Sequence, residues 1–254
     1  MLTHPTGEKL RALKLYGMAR SFEEQISSKD YEELAFEERI GLLIDQEFTE
    51  QENHRLTSRL KRAKLRQQAS MEDIDYRQKR GLDKSLVTSL AQCKWIKERL
   101  NILLTGPCGA GKSFIACALG HKACLEGYRV LYFRAPRLFE NLALAKGDGR
   151  YARIMNSIVR QDLLIIDDWG LSVLNDRERT DMLEILEDRH GIRSTIITSQ
   201  LPIEHWHEAI GNPTLADAIL DRIIHNAYKI QLSIKGGSMR KIKAGNLSVE
   251  NEGV

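Results

Sequence analysis

From Asn101 onward the chain alternates short apolar runs with amphipathic stretches. The runs are Ile102 to Thr105, Arg129 to Phe133, Leu163 to Asp167, Thr195 to Ser199 and Tyr228 to Leu232. Each is rich in β-branched residues or leucine, the pattern of strands covered on both faces, and helices between them predict a parallel five-stranded sheet in an α/β domain. One helix is expected over 176–190, opened by Asn175 and Glu178 at capping-box spacing and closed at Gly191. Before Asn101 the rhythm differs. From about Glu8 to Gln25, and from about Phe36 to Ala69, apolar residues recur every three or four positions, as in Phe36, Ile40, Leu43, Ile44, Leu56, Leu60 and Ala63. The second of these helices would run about 45 Å if unbroken. The expected layout is therefore a helical domain over 1–75, an α/β domain over 76–245 and a frayed polar tail over 246–254.

Between the first predicted strand and the helix after it stands Gly106-Pro107-Cys108-Gly109-Ala110-Gly111-Lys112-Ser113, a full G-x-x-x-x-G-K-[ST] loop followed by Phe114. Strand, glycine-rich loop and helix N-terminus together form a phosphate cradle, so residues 106–114 are the candidate contacts to a nucleoside triphosphate. Lys112 is expected against the β and γ phosphates, and the Ser113 hydroxyl on a Mg²⁺ ion. The strand Leu163-Leu164-Ile165-Ile166 delivers Asp167-Asp168 to the same sheet edge. Asp167 is expected to hold the metal, directly or through water, and Asp168 to orient and deprotonate an attacking water. The strand Ser194 to Ser199 ends on polar side chains, so Gln200, or else Ser199, can reach the γ-phosphate or the water. Arg222 lies in an amphipathic helix after Gly211-Asn212-Pro213, where it either pairs with Asp217 or Asp221 or serves a nucleotide.

Composition narrows the setting. The 254 residues carry 38 Lys and Arg against 35 Asp and Glu, a net charge of +3, so global charge does not announce a nucleic-acid binder. Charge is instead clustered: Arg55, Arg59, Lys61, Arg62, Lys64 and Arg66, then Arg77, Lys79 and Arg80, form a basic block that is either a solvated helix face or a phosphate-backbone contact. No apolar stretch approaches a membrane span and the first residues lack a secretory layout, which predicts a cytoplasmic protein. Cys93, Cys108, Cys117 and Cys124 show no C-x-x-C spacing, arguing against a structural metal or redox pair; Cys117 and Cys124, seven apart, are expected to face the core.

The phosphate loop, Leu164-Ile165-Ile166-Asp167-Asp168-Trp169-Gly170, Thr198-Ser199-Gln200-Leu201-Pro202 and Arg222 together resemble AAA+ ATPases of the DnaA and DnaC clade. More closely, they resemble the IstB-like transposition helpers of insertion sequences, through nearly the whole chain. The resemblance implies an ATPase with ATP and Mg²⁺ as cofactors, acting as a switch. It places Asp168 where glutamate is usual, Gln200 at a sensor position usually held by asparagine, and Arg222 as an arginine finger toward a neighbouring subunit. Arg240, in Gly236-Gly237-Ser238-Met239-Arg240, resembles a second sensor arginine, although the segment is short for a helical lid. It further implies a homo-oligomeric ring or spiral on double-stranded DNA, sequence-independent in its contacts, and a transposase partner encoded by the same element in a bacterial cell. The DNA contacts expected are Arg59, Arg62, Lys64 and Arg66, with Arg134, Arg137, Lys146, Arg150 and Arg153 around Gly147-Asp148-Gly149. Competing readings are a helicase loader of the DnaC type, a small-molecule kinase and a non-hydrolysing nucleotide-binding scaffold.

Overall fold

The computed structural model describes residues 4–77 and 80–234; Lys79, Arg240 and the 246–254 tail lie outside them. The chain divides into two compact units between Ser58 and Arg59. The division falls inside a long helix.

In the first unit, helices α1 (Pro5–Ala12) and α2 (Tyr16–Ser27) replace the single helix expected over 8–25, because Lys14 adopts a left-handed φ of 63°. Helix α3 (Phe36–Ala63) follows after a short 3-10 turn. It stops six residues short of the expected Ala69, at Lys64 with φ 51°, a conformation that ends a helix without a glycine to announce it. The N-terminus of α2 has no capping side chain of its own. Glu47 of α3 supplies the cap, accepting from the Gly17 and Met18 amides at 2.9 and 3.1 Å.

The second unit carries α4 (Lys84–Leu90), α5 (Lys94–Lys97), β1 (Asn101–Thr105), α6 (Lys112–Leu125), β2 (Val130–Arg134), α7 (Ala135–Gly147), α8 (Tyr151–Val159), β3 (Leu163–Trp169), α9 (Asp176–Arg189), β4 (Ser194–Ser199), α10 (Trp206–Ile210), α11 (Pro213–Ile224) and β5 (Ala227–Gln231). The five strands are those read from the sequence, within one or two residues at each end. They pair in the order β2-β3-β4-β1-β5, all parallel. β1 and β4 are buried along their full lengths, as continuous apolar runs require. Helix α6 packs so closely on the sheet that a Cβ at Gly120 would stand 2.7 Å from Ile165 Cδ1. Cys117 and Cys124 are buried as expected. The capping box at Asn175 and Glu178 forms as expected.

Two features aim the C-terminal edge of this sheet. β3 pairs with β4 in regular register up to Ile166↔Ile197, then shifts, so that Trp169 lies opposite Ser199. The extra residue is accommodated by Asp168 at φ 61°, a conformation aspartate tolerates better than most residues. The fully buried Trp169 ring then packs edge-on against Trp206 at 6.2 Å between centroids. At the opposite end of the sheet, Arg189 is almost wholly buried and donates to the carbonyls of Ile158, Gln161 and Ser194 and to the Thr195 hydroxyl, pinning the chain around the starts of β3 and β4.

Candidate nucleotide-binding and hydrolysis site

The loop after β1 turns back on itself through three left-handed glycines, of which two are decisive. Gly106 has φ 140°, and a Cβ there would lie 2.3 Å from the Leu232 carbonyl oxygen. Gly111, φ 95°, is the N-cap of α6, so the helix begins at Lys112 with its amides facing the loop. Lys112 Nζ lies against its own loop, donating to the Gly106 and Pro107 carbonyls at 2.6 and 2.9 Å. A cavity of about 720 Å³ opens beside the loop. Cys108, Gly109, Gly111, Lys112, Ser113 and Phe114 line it from the loop and the start of α6, Asp168 from β3, Leu171 from the turn after it, Gln200 from just past the end of β4 and Arg134 from β2. The remaining wall is Arg66, Gln67, Asp73, Asp75, Arg77 and Arg80, from the strap that follows α3.

Asp167 is fully buried and surrounded by donors. Ser113 Oγ donates to its Oδ1 at 2.8 Å and Thr198 donates to the same oxygen, while the Tyr132 hydroxyl and Arg66 Nη1, at 3.2 Å, donate to Oδ2. Burial pushes the Asp167 pKa up, but the hydrogen bonds from Thr198, Tyr132, Ser113 and Arg66 prevail and hold it below the ordinary carboxylate range. Burial and the Asp167 charge push the Tyr132 phenol in the opposite direction, up, so it remains a donor. Thr198 also accepts from the Asp168 amide at 3.2 Å and thereby fixes the bulge. The Asp168 carboxylate faces the cavity, held by Arg134 Nε at 2.9 Å and Arg66 Nη1 at 3.5 Å.

Among the described residues no trio of His, Cys, Asp or Glu side chains could cage a metal. A magnesium ion needs no such cage: one carboxylate, a hydroxyl, phosphates and water suffice, and the Ser113 hydroxyl and the Asp167 carboxylate set two hard oxygens, Oγ and Oδ1, 2.8 Å apart. The residues present fit Mg²⁺.

Of the expected site residues, the loop, Ser113, Asp167, Asp168 and Gln200 come together at this edge. The Ser199 hydroxyl does not join them; it donates to the Trp169 carbonyl at 2.8 Å. Arg222 is elsewhere. It ion-pairs with Glu187 of α9, a partner not foreseen, and donates to the Ala218 carbonyl at 2.7 Å, while its own carbonyl accepts from Asn101 at the start of β1, the sheet edge opposite the phosphate loop. Several of the expected DNA contacts are engaged within the chain. Arg59 donates to the Cys124 carbonyl at 3.0 Å, Arg66 and Arg134 reach the Asp167–Asp168 pair, and Lys146 pairs with the buried Asp181 at 2.5 Å. Arg150 donates to Asp148 at 2.8 Å and Arg137 pairs loosely with Glu140 at 3.8 Å; Arg62, Lys64 and Arg153 are exposed.

Tyr132, Thr198, Arg66 and Arg80 were not singled out from the sequence for this site. Tyr132 sits mid-strand and Thr198 one step before the polar strand end, so neither position carries a signal beyond β propensity. Arg80, nearly buried, donates to the Ala110 and Asp75 carbonyls at 3.1 and 2.9 Å, with no partner for its Nε among the described residues. Arg66 and Arg80 were hidden inside a block of like charges.

Loop, bulged strand and sheet order define a P-loop ATP-binding protein with an AAA+ fold. Solved structures share that fold: the DnaC helicase loader (TM-score 0.53, 17% identity, covering 65% of this chain and 96% of that one) and the AMPPCP-bound DnaA of Aquifex aeolicus (TM-score 0.56, 19% identity, 74% and 57%). The family follows from the sequence itself: residues 8–246 match the model of the IstB-like ATP binding protein, and the chain belongs to that family. Among its relatives are insertion sequence ATP-binding proteins, y4pL of Sinorhizobium fredii, 56% identical over 95% of this chain and 98% of its own, and that of IS21 in Pseudomonas aeruginosa, 33% identical over 94% and 91%. No helix among the described residues is long and apolar enough to cross a membrane.

Proposed function

We propose that the protein is an ATP-hydrolysing switch that assembles on duplex DNA and recruits or stimulates the transposase of its insertion sequence, hydrolysis driving disassembly in the bacterial cytoplasm. The observation that carries the hydrolytic part is the bulge at Asp168, which brings two consecutive carboxylates, one buried on Ser113 and one lining the cavity, to a single phosphate-binding edge.

In this reading Lys112 leaves its loop carbonyls for the β and γ phosphates. Ser113 and Asp167 hold Mg²⁺, which neutralises charge on the phosphate oxygens when bound. Asp168 orients a water and takes its proton, and Gln200, on the same cavity, aligns that water or the γ-phosphate. Arg222, at the far edge of its own sheet, serves a neighbouring subunit's nucleotide, which makes ATP part of the subunit joint. Arg62, Lys64, Arg137, Arg150 and Arg153 are the exposed cations best disposed toward DNA phosphates. The structural relative DnaA, solved with AMPPCP and single-stranded DNA, supports a link between this fold and DNA.

The test compares duplex-DNA binding with ATP, with ADP and with neither. ATP-dependent binding that weakens steeply with salt is expected; tight binding without nucleotide at high salt refutes the switch. Asp168→Asn is expected to cut hydrolysis by about 100-fold or more while leaving an ATP-bound assembly on DNA. Arg222→Ala, inactive alone, is expected to recover partial ATPase when mixed with Lys112→Ala, and mixtures that stay silent refute a shared site.

A further inference from the structure

Of the four donors on Asp167, three are uncharged side chains fixed in the sheet or the loop: Tyr132 on β2, Thr198 on β4 and Ser113 at the start of α6. The fourth is a cation on a different kind of element. Arg66 belongs to the strap after α3, and the strap's path is set by the left-handed turn at Lys64, by Leu65, whose Cδ2 lies beside Gly120, and by the buried side chains of Ala69 and Ile74. One nitrogen, Nη1, stands 3.2 Å from Asp167 Oδ2 and 3.5 Å from Asp168 Oδ2, and so bridges the two carboxylates. The guanidinium is itself about one-third exposed and borders the cavity. Arg134 also holds Asp168, at 2.9 Å, but Arg66 is the cation that reaches both carboxylates, and a cation bridging two adjacent carboxylates occupies the kind of position a divalent ion takes. Arg66 offers positive charge to the same two carboxylates from a tether, through their Oδ2 oxygens, while Ser113 holds Oδ1 of Asp167.

We infer that Arg66 is a tethered counter-cation for the Asp167–Asp168 pair and competes with a divalent metal for it, so that the metal gains these carboxylates only as the guanidinium gives them up. The inference rests on the reading of Ser113 and Asp167 as the metal position. Arg66 is a positioning residue: it acts on the reaction through the two carboxylates. When it turns away, the cavity it lines offers the triphosphate as its next partner, while Arg134 keeps Asp168 oriented. Apolar anchors hold the strap in place, so the exchange needs only a side-chain rotation.

The experiment measures Mn²⁺ alone binding to the full-length protein without nucleotide, by electron paramagnetic resonance, in wild type, Arg66→Gln and Arg66→Lys. Removing this ion pair, with a cation about one-third exposed against a buried carboxylate, is expected to make Mn²⁺ bind about fivefold tighter in Arg66→Gln, equivalent to about 1 kcal/mol. Arg66→Lys, which keeps a cation on the tether, is expected to stay near wild type. Circular dichroism melting is run on each variant, so that a change in affinity is compared only between folded proteins. Unchanged or weaker Mn²⁺ binding in folded Arg66→Gln, or equal gains in the Gln and Lys variants, overturns the proposal. Asp167→Asn and Ser113→Ala in the Arg66→Gln background separate the two levels of the argument. If they abolish binding, the metal position stands and the affinity change alone decides on Arg66; if Mn²⁺ binding is indifferent to both, the metal position is wrong and the competition falls with it.

Discussion

The two units of this chain are held together in opposite ways. The second rests on a sheet whose strands are covered on both faces, with Leu103, Leu164, Ile166, Trp169, Ile197 and Trp206 all fully buried in one core. The first buries few large apolar side chains, Leu43 among them, and leaves Phe36 and Phe48 75% and 67% exposed. Its centre is polar: the Glu47 carboxylate sits on two amides of α2, with Gln51 donating to its other oxygen at 2.8 Å. Gly17 lets the backbones meet there, since a Cβ would lie 2.7 Å from the Gln46 carbonyl oxygen. The second unit is thus organised around an apolar core, and the first around polar contacts, the Glu47 cap among them.

Four measurements bear on that contrast. The largest effect is expected from Arg189→Met, which removes the guanidinium donor from the Ile158, Gln161 and Ser194 carbonyls and is expected to cost the sheet unit about 3–5 kcal/mol by chemical denaturation; a loss under 1 kcal/mol means the sheet tolerates its missing staple. Glu47→Ala is expected to cost about 1–3 kcal/mol, but locally: amide exchange should rise in 16–27 while nucleotide binding is unchanged. Accelerated exchange throughout the sheet would erase the distinction between the units.

The third concerns pH. Burial raises the Asp162 pKa, but hydrogen bonds from the Arg129 side chain and amide and the charges of Arg129 and Arg193 outweigh it, so its folded value lies below the ordinary 3.8. A depressed carboxylate contributes stability above its unfolded pKa and loses it as pH falls through the folded one. Asp162→Asn is therefore expected to lower stability by about 1 kcal/mol at neutral pH and progressively less below pH about 4, read from denaturation midpoints; a pH-independent deficit would contradict the ion pair. The smallest perturbation is alkylation. Burial pushes the Cys93 and Cys124 thiols up to about 11 and raises Cys117 as well, whereas Cys108 is exposed on the loop. Native protein treated with maleimide should gain one adduct, at Cys108, and ATP should slow it; early adducts at the other three would mean the sheet unit opens more readily than its core suggests.

What could be read from sequence follows the same division. The strands declare themselves because a buried parallel strand is apolar at every position, and the loop because its glycines have no substitutes at those backbone angles. The end of α3 did not declare itself: Lys64 is an ordinary helix former, and only packing puts it in the left-handed region. The split of α1 from α2 at Lys14 was illegible for the same reason. Within the site, Asp167 and Asp168 were visible as neighbouring letters, but their hold on Tyr132, Thr198, Arg134 and Arg66 spans 31 to 101 residues of chain, distances at which periodicity carries no information. Arg222 found Glu187, in a helix more than thirty positions earlier, for the same reason.

The bulge at Asp168 has an implication for how this segment tolerates change. In a regular strand, consecutive side chains point to opposite faces, so two adjacent acids would face opposite sides of the sheet. Here one surplus residue between Ile166 and Trp169 breaks that alternation, and the Thr198 hydroxyl spans the break, touching one acid's carboxylate and the other's amide. Losing a single codon in this stretch would restore a regular strand and leave one acid where two stand, with Trp169 still opposite Ser199. A substitution here alters one group at a time, whereas a deletion removes one acid and the bulge together.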